Sequence, residues 1–147
     1  MGAVGCDTSF LFSLYARDAH TDKAKSAVKK LRQALTLSVF NEFEFQNALR
    51  LSVFRKLFSP AEAAIILADF EADLTSGALL IANCNLAEVM TEAKRLSAAY
   101  VPSGGHRAFD ILHVAAAVHV EATQFLSFDN NQRILAKAAG LKVPVFS

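Results

Sequence analysis

The chain has 147 residues, 53% of them hydrophobic, and a formal net charge of +1. That length supports one core and one domain, read over residues 1–147, and no apolar run approaches the ~18 residues that a membrane helix needs. Near-neutral charge neither requires nor forbids a nucleic-acid partner. A hydrophobic share above the usual ~45–50% leaves apolar side chains over for a protein interface.

The start, MGAVGCDTSF, has no basic segment ahead of a long apolar one, so it does not read as a signal peptide. Cys6 stands where the myristoylation pattern requires Ser or Thr. Cys6 and Cys84 each lie in a strand-like apolar run. They read as buried, reduced thiols of a cytoplasmic protein, and no CxxC or Cys/His cluster points to zinc.

In chain order, AVGC reads as a first strand. Asp7, Thr8 or Ser9 then caps a helix over residues 9–18. A break at His20-Thr21-Asp22 leads into a second helix over 22–34, with Ala24, Ala27, Val28 and Leu31 at helical spacing. LTLSVF reads as strand two, and a third helix runs over about 41–57. Ser59 as N-cap and Pro60 in the first turn restart a helix with the stripe Ala63, Ile66, Phe70 and Leu74. Ser76-Gly77 ends it, and ALLIANC reads as strand three.

A fifth helix over 85–100 carries Leu86, Val89, Ala93 and Leu96 on one face. Pro102-Ser103-Gly104-Gly105 reads as the clearest loop in the chain. Helix six follows over 110–120, then strand four, QFLSF, and a last helix ended by Gly140. KVPVF reads as a short strand that Pro144 confines to an edge. Strands alternating with helical crossovers predict an α/β fold, a mostly parallel sheet flanked by helices.

Four acids fall at element ends. Asp7 closes the first strand and Asp129 the fourth; Asp110 opens helix six, and Glu44 lies early in helix three. In an open parallel sheet, ligands bind in the crevice at the carboxyl ends of the strands. Four carboxylates meeting there require a cation between them, and oxygen-only ligands suit Mg²⁺ or Mn²⁺. Each aspartate also has a purely local reading, as a helix cap for Asp7 and Asp110 and as an Asx-turn with Asn130 and Asn131 for Asp129.

The residues around these acids resemble a known family. DTSFL, EFQNAL, DILHVAAA, SFDNNQ and the trailing ILAKAAGLKV together resemble the PIN domain, and within it the VapC-type toxin ribonucleases. The resemblance covers the whole chain and implies a PIN-like three-layer fold. It also implies catalytic and metal-binding roles for Asp7, Glu44, Asp110 and Asp129, with Glu44 selected over Glu42 by the match to EFQNAL. The implied activity is Mg²⁺- or Mn²⁺-dependent hydrolysis of RNA, and the implied partners are a cognate antitoxin and a second copy of the chain in a homodimer.

Beside the acids, Thr8, Ser127 and Asn131 are candidates to hydrogen-bond a carboxylate or a metal-bound water, with helix capping the alternative for Thr8. His106 and Arg107, just ahead of Asp110, are candidates to touch RNA phosphate or else are solvated loop. His113 reads as a packed, hydrogen-bonded helical histidine and His119 as structural or exposed. Phe40, Phe43, Phe45, Phe54 and Phe58 surround helix three; core packing accounts for most, but aromatics on both sides of one helix suggest that some face a partner. Lys23, Lys25, Lys29, Lys30 and Arg32 crowd one segment; most read as a solvated helix face, and the remainder as candidates to rim an anionic substrate.

No Trp and only two Tyr give no obvious stacking platform for RNA bases. A phosphoryl-accepting receiver domain is disfavoured, because strand three ends in Asn83-Cys84-Asn85 and no Lys closes QFLSF. A non-catalytic PIN-like module that only binds RNA or protein is the remaining alternative, and the intact acid set speaks against it.

Overall fold

The structure, a computed structural model, describes residues 2–146. Among them, four three-residue strands alternate with seven helices. The order is β1 (Val4–Cys6), α1 (Thr8–Tyr15), α2 (Thr21–Leu31), β2 (Leu35–Leu37), α3 (Val39–Phe54) and α4 (Pro60–Ser76). Then come β3 (Leu79–Ile81), α5 (Leu86–Gly104), α6 (Ala108–His119), β4 (Gln124–Leu126) and α7 (Asn130–Ala138). The strands form two parallel ladders. β1 pairs with β4 in the register Val4↔Gln124 to Cys6↔Leu126, and β2 pairs with β3 from Leu35↔Leu79 to Leu37↔Ile81. β1 also runs against β2, which sets the ladders side by side.

Alternation along the strands divides the core. Val4, Cys6, Leu35, Leu37, Leu79 and Leu126 face one layer, where they meet Phe10, Phe45 and Phe70 of α1, α3 and α4. Phe125 faces the other, with Val89, Leu96, Val114 and Leu135 of α5, α6 and α7. Period-two strands thereby bury both faces, as a parallel sheet requires. Gly5 permits the closest approach of helix and sheet: a Cβ there would stand 3.3 Å from the Ala117 Cβ of α6.

The local start signals act as expected from their chemistry. Ser59 and Glu62 form a reciprocal capping box at α4, with Pro60 in the first turn and Gly77 in the left-handed conformation at its end. The α3 start differs from expectation. Ser38 caps the helix through a reciprocal exchange with Asn41, so strand two stops at Leu37 and Val39 and Phe40 are helical rather than extended. The expected loop at 102–105 is also corrected. α5 continues through Pro102 to Gly104, and the turn comes at Gly105, whose φ is 66° and whose N–H donates to Val101 O at 2.8 Å. Proline's fixed φ is compatible with a helix, at the cost of its own N–H bond and a clash of its ring with the carbonyl four residues back. The last strand shrinks to one parallel bridge, Gln124↔Lys142.

Candidate active site

Asp7 follows β1 directly, and its backbone N–H donates to Leu126 O at 3.2 Å, prolonging the β1–β4 ladder by one step. The chain then turns into α1, which Asp7 caps: Oδ1 accepts from Phe10 N at 2.8 Å. Oδ2 accepts from Ser127 Oγ at 2.5 Å. The carboxylate is buried, and burial pushes its pKa up against the opposing pull of Ser127, the Phe10 N–H, Ser9 and the charge of His113.

Ser127 also accepts from Asp129 N at 3.0 Å, so one hydroxyl joins the ends of β1 and β4. Asp129 caps α7, with Oδ1 accepting from Asn131 N at 2.8 Å and Gln132 N at 3.1 Å. The Asn131 side chain points elsewhere, donating to Gly104 O at 3.2 Å. Asp110 lies in the first turn of α6, paired with Arg107 at 3.2 Å.

Glu44 projects from α3 toward α6. There His113 Nε2 stands 2.8 Å from Glu44 Oε1 and 3.0 Å from Thr8 Oγ1. Asn41 Nδ2 lies 3.4 Å from His113 Nδ1 and also donates to Cys6 O at 3.2 Å. His113 is thus the hub that joins β1, α1, α3 and α6. Burial raises the Glu44 pKa, but hydrogen bonds from His113 and Thr8 and the charges of His113 and Arg107 outweigh it, and the net shift is downward. Glu42, two residues earlier, takes no part in this network among the described residues; successive side chains on a helix diverge by ~100°.

Arg107 pairs with Asp110 at the edge of this network. Its guanidinium pKa is raised by the hydrogen bond and charge of Asp110 and, at longer range, by Glu44 and Asp129. The Arg107 side chain is exposed, whereas His106 is buried, its ring lying where a Cβ on Gly104 would collide with it. His119 lies beside the start of α5 instead of joining the site: its Nε2 accepts from the N–H of the cap residue Asn85 at 3.3 Å, and Nδ1 lies 3.5 Å from Glu88.

Ser127 thus links the Asp7 carboxylate to the backbone of Asp129, His113 holds Glu44, and Arg107 pairs with Asp110. Among the described residues, no three acidic, His or Cys side chains are drawn into a preformed ion cage. Each carboxylate has a protein partner instead. The donor set nonetheless consists of oxygens, which suits a hard divalent ion.

A family model for the PIN domain matches residues 5–138. The chain belongs to the PIN domain family. Solved structures share this PIN fold at low identity. VapBC2 of Rickettsia felis, solved bound to a promoter DNA fragment, aligns with a TM-score of 0.71 at 15% identity over 99% of both chains. VapC20 of Mycobacterium tuberculosis, described as a sarcin-ricin loop cleaving toxin, gives 0.69 at 18% identity over 95% of this chain and 96% of that one. FitAcB of Neisseria gonorrhoeae gives 0.68 at 16% identity over 95% of each. No curated protein matches the sequence significantly.

His113 is the packed, hydrogen-bonded helical histidine that the sequence suggested; what the sequence did not show is that its partners are Thr8, Asn41 and Glu44. The one signal was its position: three residues after Asp110, it lies on nearly the same face of α6.

Proposed function

We propose that this PIN domain is a ribonuclease that hydrolyses RNA phosphodiester bonds with Mg²⁺ or Mn²⁺, and that it is the toxin of a toxin–antitoxin pair. The observation that carries the reading is the hydrogen-bonded frame, Ser127–Asp7 and His113–Glu44, which fixes two acids from different elements at the sheet end where Asp110 and Asp129 also lie.

Asp7, Glu44, Asp110 and Asp129 would hold the ion. When bound, it supplies neutralisation of the phosphoryl charge and activation of the attacking water. The chain's own contribution is positioning. Ser127 and the Phe10 N–H hold Asp7 in one rotamer, and His113 holds Glu44. Carboxylates locked in this way lose little freedom on meeting an ion or substrate. Arg107, exposed and paired with Asp110, would meet a substrate phosphate in this reading, for which a guanidinium is well suited.

The partner proposal rests on apolar surface. Between α3 and α4 lies a cleft of about 280 Å³ lined by Leu49, Val53, Pro60, Ala63 and Leu67 among others. Phe54, Leu57 and Ile65 are exposed on the same two helices and their link. We assign this groove to the antitoxin, with a homodimer as the assembled form and the cytoplasm as the compartment. Residues 1–147 act as a single domain in this reading.

The test is incubation with a panel of structured and single-stranded RNAs in Mg²⁺, Mn²⁺ or EDTA. Endonucleolytic products are expected with either ion and none in EDTA. An intact panel under all three conditions would leave the non-catalytic binding module as the better reading.

A further inference from the structure

We propose that α2 and the β4–α7 corner form a track for unpaired RNA, in which a base stacks on His20 and the flanking backbone follows the cleft rimmed by Lys23 and Lys142, which runs on towards the amino ends of β1 and β4. The proposal rests on the ribonuclease reading and names the form of RNA that the site takes.

The composition showed no stacking platform, but the fold builds one. The His20 imidazole lies on the Phe128 ring with centroids 4.4 Å apart and planes 14° from parallel. Phe128 sits between Ser127, which bonds Asp7, and Asp129 itself. Behind it, Phe10 stacks at 5.3 Å and Phe146 lies at 4.5 Å. His20 therefore rests on a backed aromatic wall, and Phe128 of that wall directly precedes Asp129 in the chain.

His20 is exposed, and Phe128 is the aromatic ring stacked on it. His20 occupies the N-cap position of α2, where Ser, Thr, Asp or Asn usually serve, yet its side chain makes no capping hydrogen bond. The loop that carries it is fixed by other groups. His20 N donates to Asp18 Oδ1 at 2.8 Å, and Thr21 Oγ1 donates to Ala16 O at 2.8 Å. The ring is held in place without being used by the helix.

His20, Lys23, Ala27 and Lys30 recur at helical spacing along one face of α2. The last three line a cleft of about 490 Å³, which Lys142 and Phe146 also line. Phe146 belongs to both the aromatic wall and the cleft, so the two are continuous. That volume lies within the roughly 300–1,000 Å³ of ligand clefts. Aromatic faces beside a cationic groove are the general arrangement for single strands, because every base has a π-face and every nucleotide a phosphate. Paired bases are already stacked and do not offer their faces, which selects unpaired RNA. The lysine-rich segment thereby acquires a role that its helical periodicity alone did not give it.

The experiment measures the affinity of the full chain for a 12-nucleotide single-stranded RNA carrying 2-aminopurine, in EDTA, alongside its Mn²⁺-dependent cleavage. His20→Ala is expected to weaken binding about ten-fold, the scale of one lost stack, and to abolish the stacking quench of 2-aminopurine. It should raise KM with little change in kcat. His20→Phe should restore binding and quench, and His20→Lys should not. The double variant Lys23→Gln/Lys142→Gln should flatten the slope of log Kd against log salt by about 1.4, at ~0.7 per phosphate contact on a single strand.

Wild-type affinity in both His20→Ala and the lysine variant would overturn the track while leaving the nuclease reading in place. Rescue by Lys but not by Phe would overturn it too, since the site would then read charge alone, as would equal competition by duplex DNA of the same length. A wild-type chain that neither binds nor cleaves any RNA would overturn both readings together. All these positions except the half-buried wall behind them are on the surface, and unchanged thermal melting identifies the folded variants.

Discussion

His113 Nε2 lies 2.8 Å from Glu44 Oε1, with the imidazole side chain fully buried and the carboxylate 35% exposed. One partner is anchored in the core and the other reaches the crevice, so the pair converts packing into the position of an acid. Glu44→Gln should therefore reduce cleavage by about 100-fold or more, the scale of losing one preorganised electrostatic group, while Glu42→Gln should change it less than about three-fold. The reverse ranking in a cleavage assay would show that the wrong face of α3 has been assigned to the site. The lowered Glu44 pKa also carries a pH signature. Its stabilising contribution is present above the unfolded value of ~4.3 and is lost as pH falls through the lower folded value, so Glu44→Gln should remove part of the acid dependence of urea unfolding.

His113→Ala removes a buried ring and leaves Thr8, Asn41 and Glu44 without their shared partner. Cavity and unpaired polar groups together should cost about 2–4 kcal/mol, read as a lower midpoint in urea. A midpoint equal to that of the wild type would mean that the network contributes nothing to the fold.

Asp7→Asn should separate function from stability. The amide can still accept from Phe10 N, but it lacks the charge needed for an ion. Cleavage should fall below detection while the fold persists, and Asp110→Asn should likewise abolish cleavage. Burial raises the Asp7 pKa, so the ionised group opposes folding. Its stability contribution is complete below the unfolded value of ~3.9 and declines as pH rises through the folded value. Asp7→Asn should then melt at or above the wild-type temperature at pH 7, and the gap should close in acid. A clear loss of Tm at pH 7 would show that the charge stabilises the fold instead.

The α3–α4 groove provides a prediction independent of catalysis. Phe54 is 83% exposed and Leu57 68%, and neither touches the acid network. Phe54→Asp or Leu57→Asp should weaken binding of the cognate antitoxin at least ten-fold and leave metal-dependent cleavage unchanged. Hydrogen exchange of the chain, free and bound to the proposed antitoxin, should show protection within residues 40–74; protection confined to other regions would remove the groove assignment.

Sequence by itself determined whatever depends on neighbours a few positions away. Asp7 and Asp129 were legible as acids ending apolar strands and starting helices, because a cap is a contact over two or three residues. The Ser59–Pro60 start and the βα alternation were legible for the same reason, and the four motifs carried the family resemblance. Tertiary structure alone decided the rest. Strand two ended at Leu37 because Asn41 both completes the cap and meets Cys6 and His113. Pro102 stayed helical within an α5 that packs closely along α6. His113 became the hub only when chain closure brought Thr8, 105 positions away, and Glu44, 69 away, to its ring, and His20 met Phe128 across an even longer stretch of chain. Contacts of that separation exist only after loop-closure entropy has been overcome by the collapse of the core, so no local periodicity encodes them.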